Sequence, residues 1–202
     1  YVRKYDLSGN LKWTRQFGTS SDDYGLAISV DSSGIYVAGE TTGALSGPSS
    51  GGSDAFVCKY DASGNLKWTR QFGSSGSDIA MGVAVYSGGV YVVGPGWLAP
   101  YPMTGNFYII APFYVRKYDV NGNHLWTSIF GSFSTGAATG VAVYSSSVYI
   151  CGYSKSTLTG QTDNDAFVYK FDTSGKYKWA KYIATASEDA AFGIAVSSSG
   201  YA

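Results

Sequence analysis

Histidine occurs once in this 202-residue chain, at His124, and cysteine twice, at Cys58 and Cys151. One imidazole is too few for a histidine-built zinc site, and no second one is available to a nucleophilic triad. The two cysteines stand at non-equivalent positions of an internal repeat. They read as free thiols rather than as a bridge, whose geometry is narrowly constrained. Charge is also scarce: 14 basic and 14 acidic residues make up 14% of the chain and cancel. Without clustered cations to displace counterions from phosphate, nucleic acid is excluded as a partner class. No apolar run approaches the roughly 18 residues of a membrane-spanning helix, and no charged-then-apolar leader opens the sequence. The chain starts on Tyr1 and stops on Ala202, each inside a repeat, so it reads as a mature product, an excised piece or part of something longer. What is plentiful is tyrosine (18), glycine (27) and apolar side chains (45%). That mixture predicts a globular all-β protein of strands and tight turns.

The repeat is visible letter by letter. Tyr5-Asp6-Leu7-Ser8-Gly9-Asn10-Leu11-Lys12-Trp13 returns at Tyr60–Trp68, more loosely at Tyr118–Trp126, and again from Phe171 to Trp179. The four tryptophans lie 55, 58 and 53 residues apart, a period that denotes stacked supersecondary units. Repeats run approximately over 1–53, 54–113, 114–164 and 165–202, the last truncated. Residues 75–131 show the pattern best. Met81–Tyr86 and Val90–Val93 form a hairpin about Ser87-Gly88-Gly89, a long connection follows, and Tyr114–Tyr118 and His124–Phe130 pair about Asp119–Gly122. The expected unit is therefore a four-stranded antiparallel sheet. In the second turn, Gly9, Gly64, Gly122 and Gly175 supply a positive φ. Asp6, Asp61, Asp119 and Asp172 accept hydrogen bonds from the turn amides.

Both faces of the third strand are apolar. Tyr1 and Tyr5, Phe56 and Tyr60, Tyr114 and Tyr118, and Phe167 and Phe171 share one face; Val2, Val57, Val115 and Val168 share the other with a lysine. Sheets buried on both sides at this period predict a β-propeller of four-stranded antiparallel blades. The small residues of Gly82–Val85, Gly140–Val143 and Gly193–Val196 belong nearest the axis, and the tryptophans on the roomier outer strands. Counted this way, the chain holds two outer strands, three full blades and a final inner strand, fifteen in all. The cut-off strand after Gly200 favours a segment of a larger ring over closure as a four-bladed one.

The string Asp-Ala-Phe-Val-x-Lys-Tyr-Asp-x-Ser-Gly-Asn-x-x-Trp, then Phe-Gly, Asp, Gly-Val-Ala-Val and Val-Tyr-Val-x-Gly, resembles the bacterial β-propeller repeat family SBBP and, more distantly, the NHL repeat. The resemblance spans essentially the whole chain. It implies a propeller, often within large extracellular or envelope proteins, and it brings no shared catalytic residues. Gly136, Ser147 and Pro112 depart from the pattern, standing where other copies have an aspartate, a turn glycine and an aspartate.

One connection is unlike the rest. Residues 95–112 are long, proline-punctuated and apolar, and Trp97, Tyr101, Phe107 and Tyr108 are the candidate binding residues there, either for a protein neighbour or for a sugar ring; the competing reading folds them onto their own blade. The recurrent Asp23, Asp78 and Asp189 read as turn caps or partners of Lys4, Lys59, Lys117 and Lys170 rather than as calcium ligands, which would need six to eight oxygens. A ring of those lysines lining a ligand channel is the alternative. The functional expectation is a non-catalytic, extracellular or cell-surface module, structural or adhesive, contacting protein partners including copies of itself, with no cofactor, metal or membrane span. A carbohydrate-binding propeller is the alternative. Part of a propeller hydrolase or quinoprotein is a second, for which no pair of carboxylates can be placed from sequence.

Overall fold

A computed structural model describes residues 1–96, 112–131, 135–155 and 163–201. Among the described residues there are sixteen strands and no helix. Three antiparallel sheets contain four strands each: β3 (Asp23–Asp31), β4 (Gly34–Thr41), β5 (Asp54–Tyr60) and β6 (Leu66–Phe72); β7 (Gly82–Tyr86), β8 (Gly89–Pro95), β9 (Phe113–Asp119) and β10 (His124–Phe130); β11 (Gly136–Tyr144), β12 (Ser147–Lys155), β13 (Asn164–Asp172) and β14 (Tyr177–Ile183). In each, sequence neighbours pair in simple order. Two separate hairpins flank them, β1 (Val2–Tyr5) with β2 (Leu11–Arg15), and β15 (Val196–Ser197) with β16 (Gly200–Tyr201). The sixteenth strand is the stub expected after Gly200. A sheet therefore begins about halfway through a sequence repeat: the outer strands of one repeat share a sheet with the inner strands before them.

The two-faced character of the third strand becomes the packing rule. Phe56, Cys58 and Tyr60 of β5 face Val2, Trp13 and Phe17 of the preceding hairpin segment, while Val57 faces forward with Phe72 onto Tyr114 and Tyr118 of the second sheet. Val115 in turn packs forward onto Phe167, Tyr169 and Phe171 of the third. Phe56, Tyr114 and Phe167 are fully enclosed, each burial contributing about 1.5–3 kcal/mol. Edge-on contacts such as Phe72 with Tyr114, at 5.7 Å and 85°, add aromatic complementarity across the interface. The inner strands β3, β7 and β11 stand side by side where the sheets converge, as their small residues predict. There Val85 N–H donates to Ser29 Oγ at 3.1 Å, and Tyr86 lies against Tyr144.

Close approach inside the sheets is set by one repeated glycine. A Cβ on Gly39, Gly94 or Gly152 would collide with the carbonyl oxygen of Tyr24, Ile79 or Ala137 on the facing inner segment. This accounts for the Gly that ends the Ile-Tyr-Val-Ala-Gly, Val-Tyr-Val-Val-Gly and Val-Tyr-Ile-Cys-Gly runs.

The second turn is built as its residues predict. Asp6 Oδ1 accepts from Ser8 N at 3.0 Å and Asn10 N at 2.9 Å; Asp61, Asp119 and Asp172 repeat the arrangement with the amides two and four residues on. Gly9, Gly64, Gly122 and Gly175 have φ between 80° and 88°. Lys12, Lys67 and Lys178 close the first, second and fourth turns by ion pairs of 2.8–3.0 Å. The third carries Leu125 at that position and relies on Asn123. These bonds hold every turn carboxyl below its ordinary 3.8: Lys12 and then Asn10 bring Asp6 to about 2, Asn65 leads for Asp61, Asn123 for Asp119 and Lys178 for Asp172.

A depressed folded value means stabilisation that is complete above the unfolded carboxyl range and lost as pH falls through the folded one. Thermal or urea melting between pH 7 and pH 2 should therefore show stability beginning to fall below about pH 4, by a modest amount because the carboxyls are exposed. Asp61→Asn should lower stability at pH 7 and flatten that acid slope. An unchanged slope would remove the turns as its source.

Candidate functional site

Trp97, Tyr101, Phe107 and Tyr108 lie outside the described residues. The stem of their connection is defined: Gly96 N–H donates to Pro112 O at 3.2 Å, and β8 and β9 pair up to Pro95 and Phe113. The connection thus leaves and re-enters between the second and third strands of the middle sheet.

Among the described residues the most regular polar arrangement joins one sheet to the next. Lys4 Nζ and Trp13 Nε1 both donate to Ala62 O, at 3.0 and 3.3 Å. Lys59 Nζ and Trp68 Nε1 both donate to Val120 O, at 2.9 and 3.1 Å. Lys117 Nζ and Trp126 Nε1 both donate to Thr173 O, at 2.9 and 3.3 Å. A third donor reaches the turn glycine: Arg15 Nε to Gly64 O and Arg70 Nε to Gly122 O, both 2.7 Å, and Ser128 Oγ to Gly175 O at 2.8 Å. The indole lies on the glycine itself, so a Cβ there would meet the ring at 2.8–2.9 Å. The turn glycine is required twice, for its positive φ and for the flat seat it offers the next indole.

This corrects the expected pairing of these lysines with Asp23, Asp78 and Asp189. The Lys59 and Lys117 ammonium groups are held between a backbone carbonyl and a tyrosine face, Lys59 5.3 Å from the Tyr36 ring centre and Lys117 5.1 Å from that of Tyr91. Burial pulls the Lys117 pKa down. The aspartates instead cap their own loops, as the alternative expectation held: Thr19 N donates to Asp23 at 2.6 Å, Ser74 N to Asp78 at 2.7 Å and Thr185 N to Asp189 at 2.7 Å. Thr41 Oγ1 also donates to Asp23, at 2.6 Å. His124 contacts Thr127 Oγ1 at 2.9 Å from an exposed strand position. Cys58 and Cys151 are buried free thiols on different sheets, and burial pushes Cys58 up to about 12.

A cleft of about 560 Å³ opens between the β1–β2 hairpin and the first full sheet. Val2, Lys4 and Trp13 line one wall, and Ile28, Val30 and Ile35 the other. Ile28 and Val30 are 58% and 64% exposed, whereas Val83 of β7 is 8% exposed. The difference follows from the strand order: the full sheets place two inner strands ahead of the outer pair, and β1–β2 stands without them.

A run of antiparallel four-stranded sheets, buried on both faces and clasped by one recurring set of donors, defines a repeat protein assembled from blade-like units. Residues 12–45, from the first indole strand through the following inner hairpin, match the family model described as a β-propeller repeat, SBBP. That is the family its sequence pattern resembles. It is also similar to the "Regulatory protein FlaEY" of Caulobacter vibrioides, at 35% identity over 101 residues, covering 45% of this chain and 11% of that protein.

The clasp makes a measurable claim. Trp68→Ala should destabilise by about 2–4 kcal/mol, in the range of large aromatic truncations. Trp68→Phe should cost only about 0.5–1.5 kcal/mol, because Val120 O keeps its bond from Lys59. Adding Lys59→Met to the Phe variant should cost more than the sum of the two single changes, since the carbonyl then loses both donors. Strict additivity in a double-mutant cycle would show that the shared carbonyl is not the link.

Proposed function

We propose that the chain is a non-catalytic β-propeller segment that serves as a structural or adhesive module in an extracellular or cell-surface assembly. Its sheets are blades arranged about an axis, and the connection at 95–112 is its contact patch for protein partners. The observation carrying this reading is the threefold clasp. The same lysine and indole donors fix each sheet to the next, so the framework is rigid and the connections are left to vary, the usual division between scaffold and recognition. The apolar composition of residues 95–112, on a stem held by the Gly96–Pro112 bond, supports their choice as the patch. A relative called a regulatory protein is in keeping with a role exercised by binding.

The test is a connection swap. Residues 97–111 are replaced by the Ser/Gly-rich stretch 42–53 within the full-length protein, and cells are probed by surface labelling and by recovery of the assembly. The expected result is an unchanged melting profile, with surface-labelled protein no longer retained in the assembly. Labelling only after lysis, or retention undiminished by the swap, would overturn the proposal. A collapse in melting temperature would show instead that the connection is core to its own blade.

A further inference from the structure

Among the described residues the ion pairs are those of Lys12, Lys67 and Lys178, so no arginine has a carboxylate partner there. The stretches outside the described residues hold no aspartate or glutamate. Two of these arginines, Arg70 of β6 and Arg116 of β9, stand half-buried where the first full sheet packs on the second. Arg70 spends Nε on Gly122 O at 2.7 Å and Nη1 on Thr69 O at 2.9 Å. Its Nη2 is left over, whereas Arg15 Nη2 at the preceding interface donates to Ser63 O at 3.1 Å. Arg116 lies over the Phe72 ring, 4.5 Å from its centre, and its Nε is buried without an acceptor. Burial pushes the Tyr118 hydroxyl up to about 12, and Arg116 and Arg70 are both near enough to pull against it. The exposed His124 ring stands edge-on to Tyr118, centres 5.8 Å apart, and meets Thr127 Oγ1 at 2.9 Å. Burial, and then Arg116, hold its imidazole below the ordinary value. A half-buried guanidinium without a counter-charge is costly, and two beside one hydroxyl repel each other.

The repeat does not require this cluster. At the preceding interface the positions of Arg116 and His124 hold Cys58 and Leu66; at the following one they hold Tyr169 and Tyr177, and Ser128 stands for Arg70. The lysine and indole clasp is nevertheless present at all three. Residues that break a local pattern at a cost in stability mark function. We infer that Arg70, Arg116 and His124 form a binding site for a doubly charged oxyanion, a sulfate or phosphate group taken either as the free ion or as an ester. Two guanidiniums balance a dianion, whereas a single carboxylate would leave one of them unmatched. Their planar forks suit the paired oxygens of such a group, Arg70 contributing through Nη2 and Arg116 from its seat on Phe72. His124, the most exposed of the three, adds a ring N–H from the solvent side. Both sheets at this interface are complete four-stranded units, so the cluster is set by neighbours that are all present.

The single histidine serves as the reporter. Sodium sulfate exchanged for sodium chloride at constant pH and ionic strength should move the His124 ring-proton NMR resonance along a saturating curve. Arg116→Met and Arg70→Ser should each weaken the apparent affinity at least about tenfold. The second change copies the third interface, where Ser128 Oγ reaches Gly175 O at 2.8 Å, so it removes the charge and keeps the bond to the turn glycine. Lys178→Ala, which removes a cation from the third sheet, should leave the affinity within about twofold. Sodium acetate should bind at least about tenfold more weakly than sulfate. Inorganic phosphate and glucose 6-sulfate separate the sources: an ester tighter than the free ions identifies a ligand-borne group, and an ester no tighter identifies the ion itself, either result supporting the site. A shift that stays linear in sulfate, or sulfate affinity retained by Arg70→Ser, would overturn the site whether or not Arg116→Met folds. Acetate binding as tightly as sulfate would overturn the dianion.

Discussion

One backbone carbonyl per repeat holds this architecture together. Ala62 O, Val120 O and Thr173 O each receive a lysine ammonium and an indole N–H from the preceding sheet. Such an acceptor is useful only if it is stationary. The Asp-capped turn makes it so: the carboxylate takes the amides two and four residues on, leaving the carbonyl after it pointing outward. The glycine that lets the chain reverse also leaves the surface bare for the indole. Local turn chemistry and long-range assembly are thus the same structure, and weakening the cap loosens the neighbour as well. The lysine is paired without a carboxylate because a carbonyl and a tyrosine face already offer it negative potential. A buried ion pair there would add the desolvation cost of a second charge.

The three interfaces also show which parts of the clasp can vary. Lysine and tryptophan are retained in each, whereas Arg15 and Arg70 give way to Ser128, which reaches Gly175 O through a hydroxyl. The Lys12, Lys67 and Lys178 ion pairs have no counterpart beside Leu125, and the third turn keeps its shape through Asn123. Exposed ion pairs contribute little, so their loss is absorbed. Contact runs from each sheet to its neighbours, so stability is approximately a sum of sheet and interface contributions, as in other repeat proteins.

Much of this was legible in the sequence because it is local. Period-two alternation and turn residues placed the full sheets, the paired apolar faces of the third strand implied cover on both sides, and the Asp-x-x-Gly spacing specified the turn. The role of the lysines was not legible. Lys59 meets its acceptor 61 residues away and Lys117 56 residues away, and a backbone carbonyl leaves no mark in a side-chain pattern. Pairing them with the recurrent aspartates was the reasonable charge-based expectation, and it fails because those carboxylates are spent on their own loop amides. A usable signal did exist: lysine, tryptophan and turn glycine recur in fixed register in all four copies, which a purely local role for any one of them does not require. The four aromatic candidates at 97–108 fall outside the described residues, so the fold positions their stem and nothing more.

The same constraints indicate where recognition has room to evolve. In the middle sheet, β8 and β9 pair with a strand on either side and have both faces covered, so a substitution there alters a packed core. The second turn is fixed by its cap and by the indole on its glycine. The loop leading into an inner strand is fixed by Asp23, Asp78 or Asp189. What remains is the connection between the second and third strands, of which the middle sheet defines the stem at Gly96 and Pro112. Within the middle repeat that connection is both the longest and the richest in aromatic and proline residues. Aromatic side chains there are under no demand from the repeat, since the connections 42–53 and 156–163 contain none. Their presence is therefore the strongest sequence-level reason to assign the proposed contact to 95–112 rather than to the sheets.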